Sequence, residues 1–197
     1  MKHLSIDIES YSSVDLGKSG AYKYVESPDF QVLLLAYAYD DGPVHIVDLT
    51  ADELIPPDVA YDMTSPDVTK HAYNAPFEII CLSKHFKFIH QNIINWLPQW
   101  RCTMLHSLYC GYPASLAGAG EAIGLDSDKK KLRTGRDLIK RFCMPVKPSK
   151  SNGMRTRTYP HHDPERWQLF KQYCTQDVVT EREIERKLSS FPVPADI

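Results

Sequence analysis

The order of the periodic segments constrains the fold more than any other feature of this chain. β-Type runs come first: His3–Ile8, Val32–Tyr39 and Val44–Leu49, the last two parted by a D-D-G-P turn, then Val68–Tyr73. A helix-like stretch follows, Glu78–Phe88, with apolar Ile79, Ile80, Leu82, Phe86 and Ile89 at mixed helical spacing. Trp100–Thr103 reads as a short, weak strand. From Met104 onward the pattern is helical, broken at GYPAS, GAG and MPVKPSKSNG. The last helix is predicted from Asp163 to about Leu188, with Asp163 as N-cap and Pro164 at the first helical position. Strands first and helices later, with a strand–helix–strand passage between, predict an α/β domain on a mixed sheet.

At 197 residues the chain fits one sizeable domain with a proper core. Its 43% apolar and 24% charged residues exclude a disordered or membrane class. No apolar run reaches the ~18 residues of a membrane span, and no signal-peptide pattern opens the chain, so no membrane partner is expected. Five cysteines without a C-x-x-C pair argue against a disulfide framework or zinc knuckle and fit a reducing cytoplasm. The domain is expected over residues 1–190, with the Pro-punctuated tail 191–197, FPVPADI, at its edge.

Charge is segregated. Residues 129–157 hold eleven Lys/Arg against one acid, Asp137, a local +10; with the overall −2, the remainder carries −12. Such a one-signed patch suits a polyanion-binding face, the alternative being a flexible solvated loop. Within it, Lys147–Arg157 reads as a long irregular loop and Lys129–Lys131 as solvated loop.

The first run, LSIDIES, carries two acids separated by one isoleucine. Alternate strand residues share a face, so Asp7 and Glu9 point the same way. Like charges that close repel and raise a pKa unless something cationic sits between them. A solvated edge face is the plainer reading of a lone D-x-E. Two further acids stand at telling places: Glu78, just past a predicted strand end, and Asp177 on the last helix with Tyr173 four residues earlier, on the same face. Taken singly, Glu78 reads as a first-turn acid, Asp177 as a surface acid and Tyr173 as a packing residue. Together the four acids would need counter-charge, which hard divalent cations supply through carboxylate and water oxygens. Two such ions suit phosphodiester hydrolysis, with Tyr173 orienting the attacking water rather than acting as base.

DIE, then NAPFE some 70 residues on, then YCTQD resemble the three motifs of the DEDD 3′–5′ exonucleases, with the tyrosine of the subtype found in family A DNA polymerases. YKYVESPDFQVLLLAYAYD, LHSLYCGYPASLAGAGEAIGL and GMRTRTYPHHDPERWQLFKQYCTQDVVTEREI look like the exonuclease region of phage-encoded polymerases, as does FPVP. The resemblance implies a ribonuclease H-like fold, with a five-stranded mixed sheet flanked by helices. It implies Asp7, Glu9, Glu78 and Asp177 as the ligands of two divalent ions, Mg²⁺ or Mn²⁺, with Tyr173 completing the catalytic set. The middle motif usually has Asp where this chain has Glu78, so charge is kept and reach is not.

The implied activity is 3′–5′ exonuclease action on single-stranded DNA, releasing nucleoside 5′-monophosphates and proofreading for a DNA polymerase. The setting would be the cytoplasm of a bacterial or phage-infected cell. Segment 191–197 would be a junction to a polymerase domain, itself a partner in the same chain or as a subunit. Asn74 and Ser10 take nucleic-acid-facing positions, and Phe77 falls on an aromatic position beside the acid that serves either the bound strand or the core. Arg155 and Arg157, with Tyr159 adjacent, suit a mobile clamp on the bound strand. His161 and His162 diverge in direction and suit helix entry better than a metal pair. Two alternatives stand beside this reading: an exoribonuclease with the same site, and a non-catalytic nucleic-acid-binding or docking domain.

Overall fold

Near-continuous burial along β1 (Lys2–Tyr11), a central strand covered on both faces, sets the plan of the molecule. Leu4, Ile6 and Ile8 enter one apolar core, while the opposite face carries Ser5, Asp7 and Glu9. The computed structural model describes residues 2–87, 93–125 and 129–194, with the backbone alone over 129–134. After β1 come α1 (Leu16–Val25), β2 (Gln31–Tyr39), β3 (His45–Asp48), α2 (Pro57–Thr64) and β4 (Val68–Ala72). Then follow α3 (Ala75–His85), α4 (Ile93–Trp96), β5 (Trp100–Cys102), α5 (Thr103–Tyr109), α6 (Leu116–Ala122), α7 (Lys129–Phe142) and α8 (Pro164–Leu188).

The strands form one sheet in the order β3-β2-β1-β4-β5. β1 runs antiparallel to β2 and parallel to β4, β3 is antiparallel to β2, and β5 is parallel to β4. This is the five-stranded mixed α/β sheet expected of a ribonuclease H-like domain. Opposite β1, Glu9 pairs with Leu34 but Ser10 with Val32, so Leu33 is an extra residue that bulges the ladder beside Glu9. As a result both Leu33 and Leu34 face the second core, which Leu138 and Phe142 of α7 build with Trp167, Phe170, Cys174 and Val178 of α8. The first core lies on the other side of the sheet, under α2, α3 and α4.

α8 starts as expected: the Asp163 side chain accepts from Arg166 N at 3.3 Å, and Pro164 supplies a preset φ. α3 begins three residues before the predicted Glu78, because Asn74 adopts the left-handed conformation (φ 69°, ψ 45°) and launches the helix at Ala75. Phe88 and Ile89 of that prediction lie outside the described residues. The solvated-loop reading of Lys129–Lys131 is corrected: all three belong to α7, whose buried stripe of Gly135, Leu138 and Phe142 recurs at helical spacing and carries the lysines with it. Lys147–Arg157 is irregular as expected, yet tied down by Val146 N to Thr156 O (2.8 Å) and by a capped turn at Lys150–Asn152. Among the described residues no helix is long and apolar enough to cross a membrane.

Candidate active site

Three elements bring the expected acids together. The polar face of β1 presents Asp7 and Glu9 to α8, and the first turn of α3 presents Glu78. Tyr173 and Asp177 stand one turn apart on α8, with the phenol near enough to that carboxylate for each to act on the other's proton. Glu9 and Glu78 are buried; Asp7, Tyr173 and Asp177 are half-buried, which is where the cluster opens to solvent. Among the described residues no ion pair from Lys, Arg or His reaches any of the four acids.

Their electrostatics follow from that neighbourhood. Burial, then the charge of Asp177, raises Asp7 well above the usual carboxylate range. Glu9 is raised by burial, then by Asp7 and Asp177. Glu78 is raised by burial and then chiefly by Asp7. Burial pushes Asp177 up to about 7, against the downward pull of the neighbouring Tyr173 phenol. Burial and the Asp177 charge raise Tyr173, so its proton stays on at neutral pH.

Two thiols touch the β1 acids. Cys174 Sγ lies 3.3 Å from Asp7 Oδ2, and Cys143 Sγ, just past α7, lies 3.6 Å from Glu9 Oε2. A fifth acid, Glu181, sits one further turn along α8, buried, with its pKa pushed up to about 7 by burial. Thr103 Oγ1 donates to Glu181 Oε1, while its Oε2 has no hydrogen-bond partner. Sequence reasoning passed over all three. Glu181 could have been found, since it repeats the four-residue step from Tyr173 to Asp177. The thiols had no such signal, because Cys143 reaches Glu9 only through the packing of α7.

The donors suit hard divalent cations: four carboxylates that no cation pairs among the described residues, one of which, Glu78, keeps a buried Oε2 with no hydrogen-bond partner among those residues. Among the described residues no three His, Cys, Asp or Glu side chains are set out as a ready-made ion site.

The other expected residues are more varied. Asn74 is exposed at the start of α3. Phe77 is half-buried against the first core, its ring 6.1 Å from that of Tyr24. Ser10 is buried and its hydroxyl lies 3.1 Å from the Tyr24 hydroxyl, facing inward rather than to a bound strand. Arg155 is half-buried. Arg157 is pinned, its guanidinium 3.9 Å from the Tyr11 ring centroid and 4.9 Å from that of Tyr159, with Nη2 donating to Gln31 Oε1 at 2.8 Å. His162 serves helix entry: its Nδ1 accepts from Tyr159 N at 2.9 Å.

No family model matches the chain. It is 49% identical over 191 residues to the DNA polymerase of Bacillus phage SP02. The chain is similar to a phage DNA polymerase. The match takes in 97% of this chain and 28% of that polymerase, so the chain spans little more than a quarter of its relative's length. A solved structure described as the apo form of a nuclease aligns with 95% of this chain and 72% of its own, at 13% identity and a TM-score of 0.47.

Proposed function

We propose that the chain is a metal-dependent 3′–5′ exonuclease that removes nucleoside 5′-monophosphates from single-stranded DNA ends, in the service of a DNA polymerase. One observation carries the reading: Asp7, Glu9, Glu78 and Asp177, from three segments far apart in sequence, form one buried to half-buried acid cluster with no basic partner among the described residues, and Tyr173 stands at its edge. A purely structural acid cluster of this size would be costly. The 49% identity to a phage DNA polymerase supports the polymerase setting.

Asp7, Glu9, Glu78 and Asp177 would hold Mg²⁺ or Mn²⁺. Such ions, when bound, supply Lewis-acid activation of water and stabilisation of the leaving oxygen. The chain's own groups do the positioning. Tyr173 keeps its proton and orients the attacking water, its hydroxyl steadied by Asp177. Asn74 at the mouth of α3 and the Arg155–Arg157 segment would line the approach of the 3′-terminal strand, with Arg157 preset by Tyr11 and Tyr159.

The test is a gel assay on 5′-labelled single-stranded DNA with Mg²⁺, Mn²⁺ or EDTA, comparing the chain with Asp177→Ala. The expected result is a metal-dependent ladder shortening from the 3′ end and absent in the variant. An inert wild-type chain, or an Asp177→Ala protein as active as wild type, would overturn the proposal. A matched RNA strand in parallel decides between deoxyribonucleotide and ribonucleotide substrates.

A further inference from the structure

Glycine is among the poorest residues for a helix interior, yet Gly135 sits inside α7, buried, at the head of the stripe that continues through Leu138 and Phe142. Backbone geometry does not call for it, since the glycines with positive φ are Gly20, Gly111, Gly124 and Gly153 among the described residues. What calls for it is the neighbour. A Cβ placed on Gly135 falls 2.2 Å from Tyr173 Cε2 and 2.8 Å from both Cδ2 and Cζ, well inside any carbon–carbon contact. The α7 backbone is therefore the wall against which the Tyr173 ring rests.

On its own helix the ring has an aromatic neighbour. The Phe170 ring lies 6.4 Å away and nearly parallel, at 12°, and Phe170 is stacked in turn on Phe142 of α7 at 5.5 Å. We propose that Gly135 is a positioning residue for Tyr173: its missing side chain lets α7 close on the ring and fixes where the phenol hydroxyl stands beside Asp177. The catalytic consequence rests on the exonuclease reading above. A methyl group at 135 must either push the ring, and its hydroxyl, away from Asp177 or lift α7. Pushing the hydroxyl away reaches the reacting centre, where an error near 1 Å can cost about a hundredfold in rate.

The experiment compares kcat and KM of Gly135→Ala in the wild-type and Tyr173→Phe backgrounds. Phenylalanine keeps the ring and the collision but lacks the hydroxyl. The expected result is a kcat loss of about a hundredfold with little change in KM in the wild-type background, and no further loss in Tyr173→Phe. Equal losses in both backgrounds would make Gly135 a packing residue and overturn the proposal. A second arm places 3-fluorotyrosine at 173 and reads its ¹⁹F resonance, which should move on Gly135→Ala; an unmoved resonance overturns the contact. That arm needs no turnover, so a wild-type chain inert on DNA removes the exonuclease reading while the resonance still decides the positioning. Should Gly135→Ala not fold, Gly135→Ala combined with Tyr173→Ala should restore a cooperative transition, and failure to do so contradicts the steric relationship.

Discussion

The Cys174 thiol lies 3.3 Å from Asp7 Oδ2 and 3.8 Å from the Asp7 carbonyl oxygen, joining α8 to β1 at the acid cluster. Cys174 is fully buried, and among the described residues no stronger donor accompanies it at that carboxylate. Cys174→Ala should therefore lower unfolding stability by about 1–2 kcal/mol, from one lost donor and a small void. Cys174→Ser, which keeps a donor, should retain more of the activity than the alanine variant. Urea unfolding and turnover of the two variants, measured side by side, check both expectations.

The cluster also sets a pH dependence. A carboxyl whose pKa is higher folded than unfolded binds more proton in the folded chain; its stabilising share is complete below the ordinary carboxyl pKa and is lost as pH rises through the folded value. Asp177 and Glu181, both pushed up to about 7 by burial, place that loss near neutral pH, and Asp7, Glu9 and Glu78 act in the same direction. His71, lowered to about 4 by burial, runs the other way but has finished by its ordinary 6.5. Lys70, lowered to about 8, acts only above that value. Between pH 6.5 and 8 the melting temperature of the metal-free chain should therefore fall, and Mg²⁺ at pH 8 should restore it. A flat or rising metal-free profile by calorimetry would contradict this.

Glu78 links function and stability in opposite senses. Its buried Oε2 has no hydrogen-bond partner among the described residues, and burial with the Asp7 charge disfavours its ionised form. Glu78→Gln removes the charge at nearly constant shape. It should raise the metal-free melting temperature at pH 8 and lower nuclease activity by more than about tenfold, given the weight two-metal catalysis places on its ligands. Loss of both stability and activity would identify Glu78 as a packing residue instead.

The long helix that carries Tyr173 and Asp177 is anchored at Asp48 on β3. Trp167 Nε1 donates to Asp48 Oδ2 at 2.6 Å, Lys171 Nζ lies 3.6 Å from the same oxygen, and Thr50 Oγ1 donates to Oδ1 at 2.5 Å. Asp48→Ala would strand a buried indole N–H and a half-buried lysine, costing about 2–4 kcal/mol. Asp48→Asn keeps an acceptor for Trp167 and should cost less. Chemical denaturation of the pair gives the comparison.

Legibility of the fold from sequence followed the strength of each local signal. The strands of the sheet and the start of α8 stood out because period-two alternation and the Asp163–Pro164 cap are local features. α1 and α2 were not anticipated: α1 is kinked at Gly20 (φ 76°), and α2 is eight residues long with a buried acid, Asp62, so neither shows a clean apolar period. The four acids of the cluster could be picked out from the sequence because residue type and order carry that signal. Gly135, Cys143 and the inward turn of Ser10 could not, because each depends on which element packs against it. Arg157 shows the same limit: its charge was visible, but its seat against Tyr11, nearly 150 residues earlier, was not.

The most direct measurement is chromatographic identification of what the chain releases from single-stranded DNA with Mg²⁺, for wild type and for Asp7→Ala. The account predicts nucleoside 5′-monophosphates released from the 3′ end by wild type and none from Asp7→Ala, while far-ultraviolet circular dichroism shows both proteins folded. Release of monophosphates by a folded Asp7→Ala protein at the wild-type rate would contradict it, as would a wild-type chain that releases none.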